Sequence, residues 1–232
     1  MSEVRLIEIK EEILVDNDKV AEKIRKQLWA RQVFMLNLMS SPGAGKTSLI
    51  IATLRSLNES MRAGVIEGDI DSLVDAEKVA QEGIPAVQLR TGGACHLDAV
   101  MVELALREMD LSALDLIIIE NVGNLVCPAE FDTGAMRKVM ILSVPEGDDK
   151  PLKYPLMFTV CDVLVVNKTD YLKLSDFDMK TLKERVLKLN PQIKIFEVSC
   201  KTGEGMAAWT QWLRAEIETF KKMTEEEDHG RV

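Results

Sequence analysis

No apolar run in this 232-residue chain reaches the ~18 residues that a membrane-spanning helix needs, and the opening Met1-Ser-Glu-Val-Arg-Leu6 lacks the apolar core of a signal peptide. A basic block is missing too. The 29 Lys and Arg stand against 38 Asp and Glu, for a formal net charge of −9. That makes nucleic acid and anionic membrane poor partners. Histidine is scarce, with two in the chain, and the first 32 residues hold neither a cysteine cluster nor a histidine tract, so that terminus is not a metal store. These absences predict a cytoplasmic protein. In a reducing compartment its four cysteines, Cys95, Cys127, Cys161 and Cys200, favour metal or catalytic roles over disulfides.

The residues that are present suffice for a full core: 47% are hydrophobic in a chain of 26.0 kDa, the size of one α/β domain. The apolar run Val33-Phe-Met-Leu-Asn-Leu-Met39 reads as a buried strand, and Thr47 to Leu54 reads as a helix. Between them lies Ser40-Ser-Pro-Gly43-Ala44-Gly45-Lys46-Thr47, with Ser48 following. This is the strand–loop–helix setting of a phosphate-binding loop, with Ser40 where the usual pattern begins with glycine. Gly43 and Gly45 let backbone N–H groups turn onto phosphate oxygens, Lys46 reaches the β and γ phosphates, and Thr47 offers its hydroxyl to Mg²⁺.

Residues 1–15 show no clean period, whereas Asp16-Asn17-Asp18 reads as a helix cap ahead of Val20, Ile24 and Leu28 on one helical face. Val65-Ile66 reads as a short strand leading to Asp69, an acid aimed at Mg²⁺ or the γ-phosphate because strand C-termini face the ligand crevice. Asp75 reads equally as a helix cap and as a contact to metal or a second subunit. Asp115 to Glu120 is an apolar strand ending in the acid that helps hold Mg²⁺. The charged connection Glu146 to Pro155 is too polar for a core. It puts Lys150 and Lys153 at a surface or interface, as candidate phosphate or dimer contacts.

Two stretches carry more specific chemistry. After the strand Pro85 to Arg90, the Gly-rich loop Thr91-Gly-Gly-Ala-Cys95-His96-Leu-Asp98 sets a thiol beside an imidazole, ligand types suited to zinc and nickel. Cys127 follows the Glu120 strand. It joins Cys95 and His96 only if the two strand ends meet, as adjacent parallel strands would arrange; otherwise the cysteines are structural.

Further on, the strand Asp162 to Val166 opens into Asn167-Lys168-Thr169-Asp170. Guanine offers two N–H donors to one carboxylate whereas adenine turns an acceptor toward it, so Asp170 selects guanine. Lys168 covers the ring face and Asn167 ties the loop to its neighbours. After another strand, Ser199-Cys200-Lys201 occurs where guanine-nucleotide proteins carry Ser-Ala-Lys, with Cys200 a small spacer. A helix bearing Trp209, Trp212 and Leu213 follows, and the Glu-rich stretch after Met223 is expected to fray.

Together these motifs resemble the hydrogenase nickel-incorporation GTPases of the HypB family, a branch of the SIMIBI-class P-loop GTPases. The resemblance runs from about residue 14 to about 215. It rests most on Cys95-His-Leu-Asp and Glu120-Asn-Val-Gly-Asn-Leu-Val-Cys-Pro128, with Glu67-Gly-Asp-Ile70 and Glu146-Gly-Asp-Asp-Lys-Pro-Leu-Lys-Tyr-Pro155 in support. It implies a mainly parallel sheet flanked by helices, GTP hydrolysis with Lys46, Asp69 and Glu120 at the reacting end, and GTP-dependent homodimerisation; because no arginine stands out in the phosphate-proximal motifs, that hydrolysis is expected to be slow. It further implies a nickel or zinc site of Cys95, His96 and Cys127 near the dimer interface, and nickel delivery to a hydrogenase large-subunit precursor with an accessory protein. The expected layout is an extension and helix over 1–32, the GTPase domain over 33–225 and a polar tail over 226–232. Two other readings stand beside it: a urease-accessory-type nickel GTPase, whose metal loop reads Cys-Pro-His, and a GTP-binding metal module without significant turnover.

Overall fold

In the computed structural model, residues 9–57, 61–70 and 74–229 are described. Helix α1 (Ile9–Arg31) leads into β1 (Phe34–Ser40), α2 (Lys46–Leu57), β2 (Ala63–Asp69), α3 (Val74–Gln81), β3 (Ala86–Arg90), α4 (Ala99–Arg107) and β4 (Leu116–Glu120). The second half runs through α5 (Cys127–Glu130), β5 (Arg137–Ser143), α6 (Lys150–Lys153), α7 (Pro155–Val160), β6 (Val163–Asn167), α8 (Met179–Leu189), β7 (Lys194–Glu197) and α9 (Met206–His229). The strands form one seven-stranded sheet in the order β3-β2-β4-β1-β5-β6-β7, every pairing parallel. Strands after β1 are laid down first on one side of it and then on the other. A crevice therefore opens at the carboxyl end of β1, where the order reverses.

Helices cover both faces of the sheet, which explains why its central strands are buried along their whole length rather than at alternate positions. On one face Phe34, Leu36 and Leu38 of β1 pack with Leu49 and Ile50 of α2 and Trp209 and Leu213 of α9. The Trp209 indole N–H donates to Thr53 Oγ1 at 2.8 Å, which satisfies its polar tip inside the core. The other face is shared. Ile24 and Leu28 of α1 and Val102 and Leu106 of α4 cover Met35, Ile66, Ile117 and Ile119, while Met157, Phe158, Leu182 and Val186 of α7 and α8 cover Met140, Leu142, Leu164 and Val166.

Both chain ends depart from expectation. The cap expected at Asp16-Asn17-Asp18 is absent, because α1 begins at Ile9 and runs straight through these residues. Asp16 pairs with Lys19 at 2.8 Å. Asn17 is buried and turns its amide away from its own helix, so the inward stripe is Asn17, Ala21, Ile24 and Leu28. At the other end, α9 continues past Met223 to His229, and the Glu-rich stretch expected to fray is helical there. Residues 1–8 of the undecided amino-terminal stretch lie outside the described residues. No helix among the described residues is long and apolar enough to cross a membrane.

Candidate nucleotide and metal site

The loop after β1 turns tightly at Gly43 and Gly45, with φ of +76° and +102°. A Cβ on Gly45 would come within 2.5 Å of Asn167 Nδ2, so glycine there is required by both the backbone and the neighbouring base loop. Ser40, in the place of the usual first glycine, is buried and donates from Oγ to Ser41 O at 2.7 Å. Lys46 Nζ lies 3.3 Å from Ser40 Oγ and 3.9 Å from Glu120 Oε1. Thr47 Oγ1 donates to the same Glu120 oxygen at 3.0 Å. Glu146 doubles back from its charged connection to accept from Ser41 Oγ, from Ser143 N at 2.7 Å and from Ser143 Oγ at 2.7 Å.

A pocket of about 260 Å³ opens beside this loop, lined by Lys46, Glu67, Asp69, Asp75, Glu120 and Asn121 among others. Glu67 is the residue that sequence reasoning passed over. Parallel register sets it opposite Glu120, and both are buried. The readable signal was an acid inside a strand whose neighbours Val65 and Ile66 are core. Burial first, and then the charge of Glu120, push the Glu67 carboxyl far above the ordinary glutamate range. Burial raises Glu120 as well, against the opposing pull of Lys46 and the Thr47 hydroxyl. Glu67 Oε1 and Glu120 Oε2 have no hydrogen-bond partner. Two adjoining buried carboxyls need either a proton or a cation between them, and carboxylate oxygens with one hydroxyl form a hard-oxygen set that fits Mg²⁺. Asp69 ends β2 at the pocket wall. Asp75 sits inside the first turn of α3 rather than at its cap, and pairs with Lys78 at 2.7 Å.

On the opposite side of the phosphate loop, a pocket of about 200 Å³ is lined by Gly45, Ser48, Asn167, Lys168, Asp170, Cys200 and Lys201. Asn167 donates to Ala44 O at 3.1 Å and accepts from Lys168 N at 2.8 Å and Cys200 N at 3.3 Å. Lys168 takes a left-handed conformation, φ +61°, uncommon outside glycine and a mark of functional sites. Its Nζ then donates to Gly43 O at 2.7 Å. Ser199 Oγ donates to Asp170 Oδ1 at 2.7 Å, fixing the carboxylate at the pocket edge. Burial pushes the Cys200 thiol up to about 11, as suits an inert spacer.

Cys95, His96 and Cys127 come together, with one ligand atom from each within 4.8 Å of the others. The thiols lie 2.9 Å apart, and Cys95 Sγ is 3.9 Å from His96 Nδ1. Strand adjacency, the expected route to this meeting, is not how it happens: β2 lies between β3 and β4. The loops are joined instead by Asn121, whose Oδ1 accepts from Leu97 N at 3.0 Å and Val122 N at 2.9 Å, and whose Nδ2 donates to Asn37 Oδ1 at 3.1 Å. Asn124 adds a bond to Cys95 O at 3.3 Å, and the His96 ring stacks on Phe131 with centroids 4.0 Å apart. Burial lowers the His96 pKa, which keeps the imidazole neutral and able to ligate. The Cys95 contact raises Cys127, so a metal bound there would displace a proton.

Lys153 pairs with Asp149 at 2.5 Å, and Lys150 Nζ lies 5.8 Å from the Tyr154 ring centroid. Within this one chain neither reaches the phosphate pocket. A larger cavity, about 640 Å³, opens at the amino-terminal end of β2 and β3 between Leu54, Ile84 and Met109, away from every motif residue.

A phosphate loop at the strand-order reversal, an acid at the end of the neighbouring strand and an Asn-Lys-x-Asp loop across the crevice define the P-loop GTPase class. Within it, the profile of the CobW/HypB/UreG nucleotide-binding domain matches residues 34–197. The chain belongs to the HypB family. It is 47% identical over 230 residues to the hydrogenase maturation factor HypB of Azotobacter vinelandii, covering 96% of this chain and 76% of that protein. The crystal structure of HypB from Helicobacter pylori in complex with nickel superposes with a TM-score of 0.84 at 36% identity, over 88% of this chain and 96% of that one. HypB from Archaeoglobus fulgidus gives 0.82 at 39% identity, over 88% and 100%.

Proposed function

We propose that this protein hydrolyses GTP to GDP and phosphate with Mg²⁺, carries nickel, or zinc, on Cys95, His96 and Cys127, and dimerises when GTP is bound. It acts with an accessory protein in inserting nickel into a [NiFe]-hydrogenase large-subunit precursor. The observation that carries this reading is the convergence of two thiols and an imidazole on loops tied through Asn121 to the strand that ends in Glu120. The hydrogenase role draws on the Azotobacter relative, and the nickel cargo on the Helicobacter structure.

In this reading Asp170 accepts the guanine N–H pair, Lys168 covers the ring and the Cys200 N–H faces the guanine oxygen. Gly43 to Ser48 wrap the phosphates, and Lys46 neutralises charge that develops on the γ-phosphoryl oxygens. Thr47 and Glu120 would hold Mg²⁺, which would supply positive charge against the negative charge of the phosphates. Asp69 orients the attacking water from the end of β2. Lys46 is the one cation among the described residues lining the phosphate pocket, so hydrolysis runs at about 10⁻³ s⁻¹ or slower, the regime without an arginine finger.

Three ligands per chain leave a metal with open positions, which the same residues of a second copy complete on a twofold axis. Asp75, Lys150 and Lys153 are candidate contacts across that axis. The test measures metal stoichiometry and oligomer mass together, with GDP and with a non-hydrolysable GTP analogue. Nickel bound through thiolates and a dimer favoured by the analogue are expected. Identical mass and identical nickel affinity in both states would remove nucleotide control from the reading.

A further inference from the structure

Asparagine is a poor residue for a helix interior, yet Asn17 sits two turns inside the amino-terminal end of α1 and is buried. A buried amide must find partners, and both of its partners lie outside its own helix. Oδ1 accepts from Ala99 N at 2.8 Å, and Nδ2 donates to Asp132 O at 2.9 Å. The first is the leading N–H of α4, three residues after His96, which has no partner within its own helix. The second is the carbonyl next to Phe131, the residue that stacks on His96, five positions beyond Cys127. One side chain therefore bridges the start of α4 and the segment after α5, the two stretches that directly follow the candidate metal ligands.

The rest of α1 supports this bridge. Arg25 Nη1 donates to Asp132 Oδ2 at 2.9 Å, and Lys23 Nζ reaches Glu103 of α4 at 2.7 Å. A Cβ on Gly134 would meet Ile24 Cγ2 at 2.8 Å and Ala21 O at 2.9 Å, so α1 lies directly against the segment that follows Cys127.

We infer that Asn17 is a positioning residue for the metal site: it sets the separation of the Cys95-His96 loop from the Cys127 loop, and makes α1 a structural part of metal binding. The inference deepens the metal reading above and rests on it. Outer-shell partners of metal ligands are typically worth about 10–100-fold in affinity. Asn17 bonds to neither ligand residue itself, so Asn17→Ala, which loses both bonds, should weaken Ni²⁺ and Zn²⁺ binding at the lower end of that range, about 10-fold, and alter the thiolate-to-nickel charge-transfer absorption. Asn17→Asp keeps the acceptor for Ala99 N–H but loses the donor to Asp132 O, so it should fall between wild type and Asn17→Ala; it also serves if the alanine variant does not fold. GTP-analogue affinity should change by less than about two-fold in both, because neither bond touches the phosphate or base loops.

The control is Leu28→Val, which loosens the same helix near its carboxyl end in the shared apolar core and removes no hydrogen bond to either ligand segment. If it lowers metal affinity as much as Asn17→Ala at equal stability loss, α1 is only structural and the inference fails. Unchanged Ni²⁺ affinity and spectrum in Asn17→Ala, with Cys127→Ala abolishing binding, overturns the positioning role alone. Unchanged Ni²⁺ affinity in Cys127→Ala overturns the metal reading, and the inference with it.

Discussion

The two flanks of the phosphate loop are built on opposite principles. On the base side Asn167, Lys168, Asp170 and Ser199 are tied to one another or to the phosphate loop by direct hydrogen bonds, and Lys168 is held in a left-handed conformation to make this possible. On the metal side two buried carboxyls face each other with unpartnered oxygens, and two thiols lie in contact. In the first arrangement these side chains are held before ligand arrives, with only the neighbouring Thr169 hydroxyl unpartnered among the buried polar atoms of the described loop, while the second is resolved only by a proton or a cation. In the proposed reading, recognition of the base is preorganised, and response to the γ-phosphate and to metal falls to the side whose groups still need partners.

The largest effect that would break this contrast is at Asp170. Asp170→Asn should lower GTP affinity by roughly 100-fold or more, since a site built on hydrogen bonds rejects an unmatched base strongly. Xanthosine triphosphate, with an oxygen in place of the 2-amino group, should gain. Competition binding with the two nucleotides decides it, and an unchanged ratio would mean that the base is read elsewhere.

Next comes the metal pair. Cys95→Ala or Cys127→Ala should reduce Ni²⁺ and Zn²⁺ affinity by more than the roughly 10–100-fold of an outer-shell loss, with GTP binding changed less than about two-fold. Equilibrium titration of each ion, alongside a nucleotide titration, separates the two sites.

Hydrogen exchange gives a smaller and more distributed signal. Adding Mg²⁺ with a GTP analogue should raise protection over residues 95–97 and 120–127 by more than over 167–170 and 199–201, because the latter backbone is already held. Equal gains on both flanks would erase the distinction drawn between them.

The smallest effect concerns pH. Glu67 has a folded-state pKa raised above its unfolded value, so the stability it contributes is fully present below the ordinary glutamate range and is lost as pH rises toward the raised value. In the absence of a cation, Tm should decline as pH climbs from about 5 to 9, and Glu67→Gln should flatten that slope, with a gain of about a few degrees at the alkaline end. Thermal melts across the range check it; a parallel pH dependence in both proteins would show that the carboxyl is not the source.

Much of this architecture could be read before any coordinates. The apolar strands, the loop from Ser40 to Thr47 and the Asn-Lys-x-Asp loop are local patterns, each complete within a few residues; β1, β3, β4 and β6 lie within about a residue of their expected bounds, while β2 extends from Ala63 to Asp69, well beyond the expected Val65-Ile66. Cys95, His96 and Cys127 were recognisable by ligand type and by family resemblance. Their route to each other was not, because β2 intervenes and the joint is made by a buried asparagine. Glu67 belongs to the family motif but was given no role, because the run read as strand stops at Ile66 and the carboxyl that faces it, Glu120, lies far along the chain. Asn17 was misread as a cap because Asp-Asn-Asp is a genuine capping pattern; the helix formers ahead of it carry α1 on to Ile9.

The amino-acid sequence by itself determined most of the succession of strands, the phosphate loop, the Asn-Lys-x-Asp loop and the candidate thiol and imidazole ligands at 95, 96 and 127, because those depend on spacing and side-chain chemistry along a short stretch of chain. Only the tertiary structure decided which groups meet across it. Glu67 faces Glu120 through parallel register, Asn121 ties the metal loop to the Glu120 strand, and Asn17 reaches from α1 to the two stretches that follow the candidate ligands. Each of these pairings spans more than twenty residues of sequence. They are selected by the need to satisfy buried polar groups once the sheet has formed, and no local pattern records that need.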